Sequence, residues 1–320
     1  MNTLFIGIYD NNEPNTAFRN AFRKVSNEYR EISWGSLPKI DLEKKIISDI
    51  HEIKPDLIFM QLQSPGVIND IVLNAMRLSG AYLVQWTGDA RQPLPRHYID
   101  FGRKIDLSLF NNQNDVDTMV KAGVRADFLQ IAFDHNIYKP VGSVTLAPQI
   151  VFMGNHYSNV FTLSNYRYDM VQFLRKTYGK NFGLYGCNWP KEWGIESLMY
   201  NQEKEAEVYR SCMVGVNLSH YDLKRYASDR LFRIMGCGAF CISKEFPEMQ
   251  EYEGGKNFVT FNSDFKDLKD KIDYYLDHNE ERKVIAYNGC KRTHESWTWD
   301  HRINELLNLI KKHELDRSIA

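Results

Sequence analysis

The 320-residue chain has no apolar run near the roughly 20 residues a bilayer-spanning helix needs, so no such span is expected. Nor does it carry much net charge: 40 basic residues against 41 acidic ones leave −1. That total gives no support to general nucleic-acid binding, although a local basic face can hide inside a neutral sum. Cysteine is sparse. Cys187, Cys212, Cys237, Cys241 and Cys290 are odd in number and form no two close pairs, so they read as reduced, buried thiols of a cytoplasmic protein. The sequence holds no G-x-G-x-x-G, no glycine–lysine phosphate loop, no H-E-x-x-H and no G-x-S-x-G. The standard dinucleotide, zinc-hydrolase and serine-triad readings therefore have no support. The N-terminal "MNTLFIGIYDNNEP" is too short in its apolar part, and lacks the basic start, for a signal peptide; it reads as a first strand.

What is present is core-forming material: 43% hydrophobic and 13% aromatic residues over a length that suits about two domains. Short apolar runs at 3–9, 30–34, 56–62, 81–89 and 106–112 alternate with helical spacing at 14–25, 41–53 and 67–80. The pattern pauses at "AFDHNIYKPVGSVTLAP", 132–148, where proline, glycine and small residues gather. It then restarts. Strands are expected at 149–155, 181–186, 214–219, 239–243 and 257–261, and helices at 166–179, 204–213, 228–238, 264–277 and 280–292. A last helix carries Ile303, Leu306, Leu307 and Ile310. Apolar strands alternating with helices predict parallel sheets covered on both faces. The expected fold is α/β, with two doubly wound Rossmann-like domains facing across a cleft: 1–140, a linker at 141–148, and 149–320, with the last helix a candidate to pack back on the first domain. Ligands of such sheets sit at the carboxyl ends of the strands.

Two stretches of the second half suit an anion. In "GNHYSNVFTLSNYR", Gly154 follows a strand directly, which lets backbone N–H groups approach a phosphate. Asn155, His156, Tyr157 and Ser158 add donors and Arg167 adds charge; an ordinary surface loop is the competing reading. In "YASDRLFRIMGCGAF", Ser228 or Asp229 caps a helix that Gly236 or Gly238 ends. Arg230 then offers a forked donor at the helix start, unless it merely flanks the cap. Lys224 and Arg225 are further phosphate candidates, or a solvated basic loop. In the first half, Asp89 of "QWTGDAR" ends a strand and is the best single carboxylate for acceptor binding or base work; Asp10, after the first strand, is next. A turn, or a salt bridge from Asp89 to Arg91, accounts for them equally well. "DVD" at 115–117 has the spacing of a metal-binding D-x-D, but acids also favour a helix start. No metal is expected. His156 and His220 fall at strand ends.

Residues 226–243, "YASDRLFRIMGCGAFCIS", and the segment from "NFVTF" to "AYNG" resemble the carboxyl-terminal half of GT-B glycosyltransferases. The nearest likeness is to the spore-protein CgeB/YkvP-like group. "YGCNW" at 185–189 and Trp297, Trp299, Asp300 and Arg302 fit the same group, and the likeness is thinner before residue 149. The resemblance implies a nucleotide-diphosphate sugar, as co-substrate rather than cofactor, held by the second domain. Gly154, Asn155, His156, Tyr157, Arg167, Arg230 and Lys224 would contact the diphosphate. Tyr185, Gly186, Asn188, Ser228, Asp229 and Arg233 would face the nucleoside. A ribose-binding glutamate of the family falls on Arg233, a departure in which Asp229 is the candidate replacement. The expected reaction is sugar transfer without metal and with retention, to a hydroxyl of a glycan, protein or small molecule. The alternatives are a phage-type transferase acting on DNA bases, and a GT-B-like binder of nucleotide or glycan without turnover.

Overall fold

A computed structural model of the chain describes residues 1–9, 16–198 and 201–319, with side chains as far as residue 315. Asp10 lies outside the described residues. The chain divides into two compact units: Met1–Gln130 with Trp299–Ala320, and Ile131–Thr298.

The first unit is built on six strands: β1 (Asn2–Gly7), β2 (Glu28–Ser33), β3 (Leu57–Met60), β4 (Tyr82–Thr87), β5 (Leu107–Phe110) and β6 (Ala126–Phe128). They are all parallel, in the order β2-β1-β3-β4-β5-β6. β3, β4 and β5 are buried along their whole length, as strands covered on both faces must be, while edge strand β2 exposes Glu28 and Arg30. Helices α1 (Thr16–Val25), α2 (Lys39–Ile53), α3 (Asp70–Leu78), α4 (Arg96–Gly102) and α5 (Gln113–Lys121) connect them. α4, α5 and β6 exceed the sequence expectation. The first and last are short, and the one apolar alternation in "ADF" is too brief to stand out. Asn112 caps α5, accepting from the Asp115 N–H at 2.9 Å, and its own amide donates to the Asp115 carboxylate at 2.7 Å. "DVD" is thus part of a helix start. Burial pushes the Asp115 pKa up to about 6, against hydrogen bonds from Asn112 and Gln92.

The second unit holds β7 (Ile150–Met153), β8 (Phe182–Tyr185), β9 (Val214–Asn217), β10 (Phe240–Lys244) and β11 (Val259–Phe261), parallel and ordered β11-β10-β9-β7-β8. Its helices are α6 (Ser164–Tyr178), α7 (Gln202–Ser211), α8 (Asp229–Gly236), α9 (Phe265–Asp277) and α10 (Asn279–Ser296).

The domain boundaries expected at 140 and 149 need correction. Phe133 and Tyr138 are buried in the core of the second unit with Leu231, Phe232 and Met235, and Ile131 and Ile137 pack against it. The chain therefore joins that unit from Ile131 on, before its proline- and glycine-rich stretch. At the other end, α11 (Trp299–Ile319) belongs to the first unit, the placement the sequence allowed for the last helix. Trp299 stacks on Phe18 at 4.0 Å between ring centres and meets the edge of Trp86 at 5.7 Å. Lys312 and His313 both reach Asp127. A buried aromatic anchor of this size outweighs sequence proximity in deciding which core a terminal helix joins.

Candidate functional site

In the second sheet the chain leaves β7 for β8 on one side and returns to β9 on the other. Neighbouring strands whose connections run in opposite directions open a crevice at their carboxyl ends. Two arginines occupy the crevice between β7 and β9. Arg167 stands in the first turn of α6 and Arg230 in the first turn of α8. Arg230 Nε donates to the Met153 carbonyl, the last of β7, and Nη1 donates to the Leu218 carbonyl just past β9 at 3.0 Å. Arg167 Nη2 donates to the same Leu218 oxygen at 2.8 Å, and Nη1 to the Asn155 carbonyl at 3.0 Å. Both guanidinium groups lie over the buried Phe152 ring, at 5.7 Å for Arg167 and 5.2 Å for Arg230.

Among the described residues neither arginine has a carboxylate partner. Arg167 is 1% exposed, and its Nε is buried without a hydrogen bond. Burial, and then the Arg230 charge, hold its pKa well below the usual arginine range. Arg230 is half-buried. Its Nη2 has no partner among the described residues and lies where a Cβ on Gly154 would stand 3.1 Å away. Glycine at 154 therefore leaves one edge of a guanidinium open beside the strand end. A buried and a half-buried cation with an open donor edge are chemically suited to an anion.

His220 completes the cluster. Its Nε2 is 3.3 Å from Arg167 Nη1. Burial, then Arg167 and Arg230, push its pKa down to about 2, so the ring is neutral and its Nε2 accepts from Arg167. Tyr157 and Phe161 fix it by ring contacts at 5.1 and 4.4 Å.

The loops after β7 and β8 are laced together. The Asn155 side chain accepts from the Cys187 N–H at 2.8 Å, and the His156 N–H donates to the Cys187 carbonyl at 3.0 Å. Trp189 Nε1 donates to the Gly154 carbonyl at 2.8 Å, and its ring stacks on His156. Asn188, exposed and at φ 63°, turns its carbonyl to His156 Nδ1 at 3.3 Å. Gly186 has φ 143°, and a Cβ there would overlap the Gly154 carbonyl oxygen. The Tyr185 carbonyl receives the Gly154 N–H at 2.8 Å. The structure thus brings Gly154, Asn155, His156, Tyr157, Arg167 and Arg230 to one strand edge, with Tyr185, Gly186 and Asn188 beside them.

Other candidates are engaged elsewhere. Ser228 holds the N-cap position of α8, but its side chain makes no cap bond, contrary to expectation; its hydroxyl donates to Asn217 Oδ1 at 2.8 Å instead. The helix ends through Gly238, whose φ of 78° only glycine takes without strain. Lys224 pairs with Glu248 at 3.0 Å, half-exposed. Asp229 pairs with Arg233 at 2.6 Å. Arg233 also meets Glu205 of α7 at 3.2 Å and lies over the Tyr138 ring, whose hydroxyl donates to Glu205 at 2.9 Å. Burial opposes the Arg233 charge, but Asp229, Tyr138 and Glu205 together raise its pKa well above the usual value. Glu205 escaped the sequence reading because nothing in α7 marks a partner 28 positions away. In the first unit, exposed Asp89 follows β4, and its carboxylate accepts from Gln63 at 2.7 Å rather than pairing with Arg91 as one reading expected. Among the described residues no group of three or more His, Cys, Asp or Glu is arranged for a metal ion, and no helix is long and apolar enough to cross a membrane.

Residues 167–308, which include Arg167 and the rest of α6 after it as well as all of α8, match the family model described as glycosyl transferase-like. The chain has the GT-B fold, and its residues 167–308 are glycosyl transferase-like. Among solved structures, Anabaena HepE in complex with UDP-glucose is 14% identical, with 98% of this chain and all of that one covered at a TM-score of 0.65. A glycosyltransferase from Rickettsia africae is 10% identical, with 98% of each chain covered at 0.67. Trehalose-6-phosphate synthase, studied for glycosyl transfer with retention, is 8% identical, with 98% of this chain and 99% of that one covered at 0.63. No curated protein matches the chain in sequence. At these identities the structural likeness carries the GT-B fold, and the glycosyl transferase-like assignment rests on residues 167–308.

Proposed function

We propose that the protein transfers a sugar from a UDP-sugar to an acceptor hydroxyl, holding the donor's diphosphate on Arg167 and Arg230. The observation that carries this reading is the pair of guanidinium groups at the β7–β9 switch point that have no carboxylate partner among the described residues, with Arg230 Nη2 open there beside Gly154. As the bond from the anomeric carbon to the phosphate oxygen breaks, charge grows on the diphosphate. Fixed cations there stabilise it without reorganisation, and in this proposal they take the role that a metal ion plays elsewhere. The nucleoside extends along Tyr185, Gly186 and Asn188, with Arg233 holding Asp229 and Glu205 near the start of α8. UDP is favoured because HepE, a structural neighbour, binds UDP-glucose.

The acceptor oxygen replaces the phosphate oxygen at the anomeric carbon. We propose retention of configuration, on the likeness to trehalose-6-phosphate synthase, whose transfer retains it. The incoming hydroxyl then approaches on the face of the departing phosphate, which takes its proton. Asp89, exposed at the end of β4, binds and orients the acceptor hydroxyl in this scheme. Membership of the CgeB-like group and a cytoplasmic location with reduced thiols belong to the same proposal; all five cysteines are free.

A thermal-shift and calorimetry panel of UDP, GDP, ADP, CMP and dTDP tests the donor. A ligand that binds only the folded state raises the melting temperature by mass action. The reading expects UDP to give the largest shift, unaltered by EDTA. A panel without any shift refutes it.

A further inference from the structure

The geometry points to the imidazole of His220 as a third donor of the anion site, the group through which buried Arg167 reaches the ligand. His220 lies in the loop after β9, three residues past the strand's end. Its Nε2 stands 3.3 Å from Arg167 Nη1. A guanidinium group has no lone pair to offer, so this contact puts the lone pair on Nε2 and makes the arginine the donor. The ring is neutral, because burial and then the charges of Arg167 and Arg230 push its pKa down to about 2. A neutral ring that accepts at Nε2 carries its one proton on Nδ1.

That Nδ1–H is unspent. Among the described residues it has no hydrogen-bond partner. Nor is it one of the unpartnered atoms sealed from solvent, as Arg167 Nε is. Arg167 itself is in the opposite position. It is 1% exposed, and it spends Nη1 on the Asn155 carbonyl and His220, and Nη2 on the Leu218 carbonyl. Its charge sits at the strand edge while its donors are turned into the protein. Donation into Nε2 draws density from the ring and strengthens Nδ1–H, since hydrogen bonds in series polarise one another. The imidazole thus presents outward part of what the guanidinium holds inward.

The surroundings decide what such a donor takes. Arg167 and Arg230 both act on the ring with positive charge. An N–H in that field selects a negatively charged acceptor. Arg230 Nη2, beside Gly154, is the other open donor of the cluster. Two separate open donors suit an anion with several oxygens, which is the chemistry of a diphosphate. The ring is also held in place. Tyr157 and Phe161 meet it at 5.1 and 4.4 Å, and the Leu163 N–H donates to its main-chain carbonyl at 3.1 Å. A donor fixed beforehand loses little freedom on binding. Assigning the diphosphate to a sugar donor rests on the function proposed above; the open N–H does not. In that reaction His220 stabilises charge on the departing phosphate and transfers no proton.

Calorimetric titration of the full chain with inorganic pyrophosphate and with UDP tests the assignment. His220→Gln keeps an acceptor for Arg167 and loses the donor at Nδ1. His220→Asn keeps an amide donor near Nδ1 and loses the acceptor. His220→Gln is expected to weaken both ligands about tenfold, the worth of roughly one hydrogen bond to a charged group, and His220→Asn by no more than about threefold. Equal affinities in wild type and His220→Gln, or equal losses in the two variants, overturn the role of His220. A readout on wild type serves if a variant does not fold: the nitrogen–proton correlated spectrum of isotope-labelled histidine rings. The proton is expected on Nδ1, with a resonance that moves as pyrophosphate is added. A proton on Nε2, or a resonance unmoved at saturation, overturns the proposal. The two claims fail separately. Pyrophosphate bound without UDP, and weakened in His220→Gln, refutes the sugar-donor reading alone. Both ligands bound equally by wild type and His220→Gln refute the role of His220 alone, and binding of neither refutes both.

Discussion

Arg167 Nη2 and Arg230 Nη1 end on one main-chain oxygen, that of Leu218, at 2.8 and 3.0 Å. Two like charges are thereby fixed side by side, in a crevice where burial already disfavours that of Arg167. Such an arrangement costs stability unless an anion joins it. The expense falls at the switch point of the second sheet, where a parallel α/β fold binds its ligands.

His220 gives this cluster a pH signature. Its pKa in the folded chain is about 2, against 6.5 when unfolded. The unfolded chain therefore binds the extra proton below pH 6.5, and stability falls as pH is lowered. The loss approaches about 1.4 kcal/mol per pH unit, or roughly 2 kcal/mol between pH 7 and pH 5. Asp115, raised to about 6, works in the opposite direction as pH falls. Comparing wild type with His220→Gln cancels its effect. Denaturant melts at pH 7 and pH 5 should show the variant losing roughly 2 kcal/mol less than wild type over that interval.

Arg233→Glu should unfold rather than restore. The new carboxylate would join Asp229 and Glu205, which Arg233 now holds at 2.6 and 3.2 Å. Breaking a part-buried pair and adding a like charge should cost about 3 kcal/mol. Urea denaturation reads the loss directly. A double variant, Arg233→Glu with Glu205→Arg, should recover part of it.

Gly186→Ala should separate the two loops that line the proposed donor site. The new Cβ would strike the Gly154 carbonyl, and φ at 143° is strained for any side chain. A loss of about 2–4 kcal/mol is expected from strain and overpacking together. A variant with an unchanged melting temperature would show that the two strand ends do not approach as described.

Most of the fold was legible because its strands are apolar throughout and its helices are amphipathic, as at Leu42, Ile46, Ile50 and Ile53. The boundary at Ile131 was not, since proline and glycine mark a turn in the chain but not the core that Phe133 and Tyr138 enter. In the site, Arg167, Arg230 and Gly154 carried signals in residue type and position. The shared Leu218 carbonyl carried none, because a main-chain oxygen has no letter of its own. Glu205 comes from a helix that only the folded chain brings against α8.

Asp89→Asn should leave UDP-sugar binding at the wild-type level and reduce transfer about 10- to 100-fold, the range for losing one oriented polar contact to the reacting group. Steady-state kinetics beside calorimetry distinguish this from a donor defect.

The most direct measurement is a calorimetric titration of UDP-glucose into wild type and Arg230→Ala. Removing a charge-assisted donor should weaken binding by roughly 10- to 100-fold with the fold intact, as checked by melting temperature. Equal affinity in a folded Arg230→Ala variant would contradict the assignment of the diphosphate to the arginine pair.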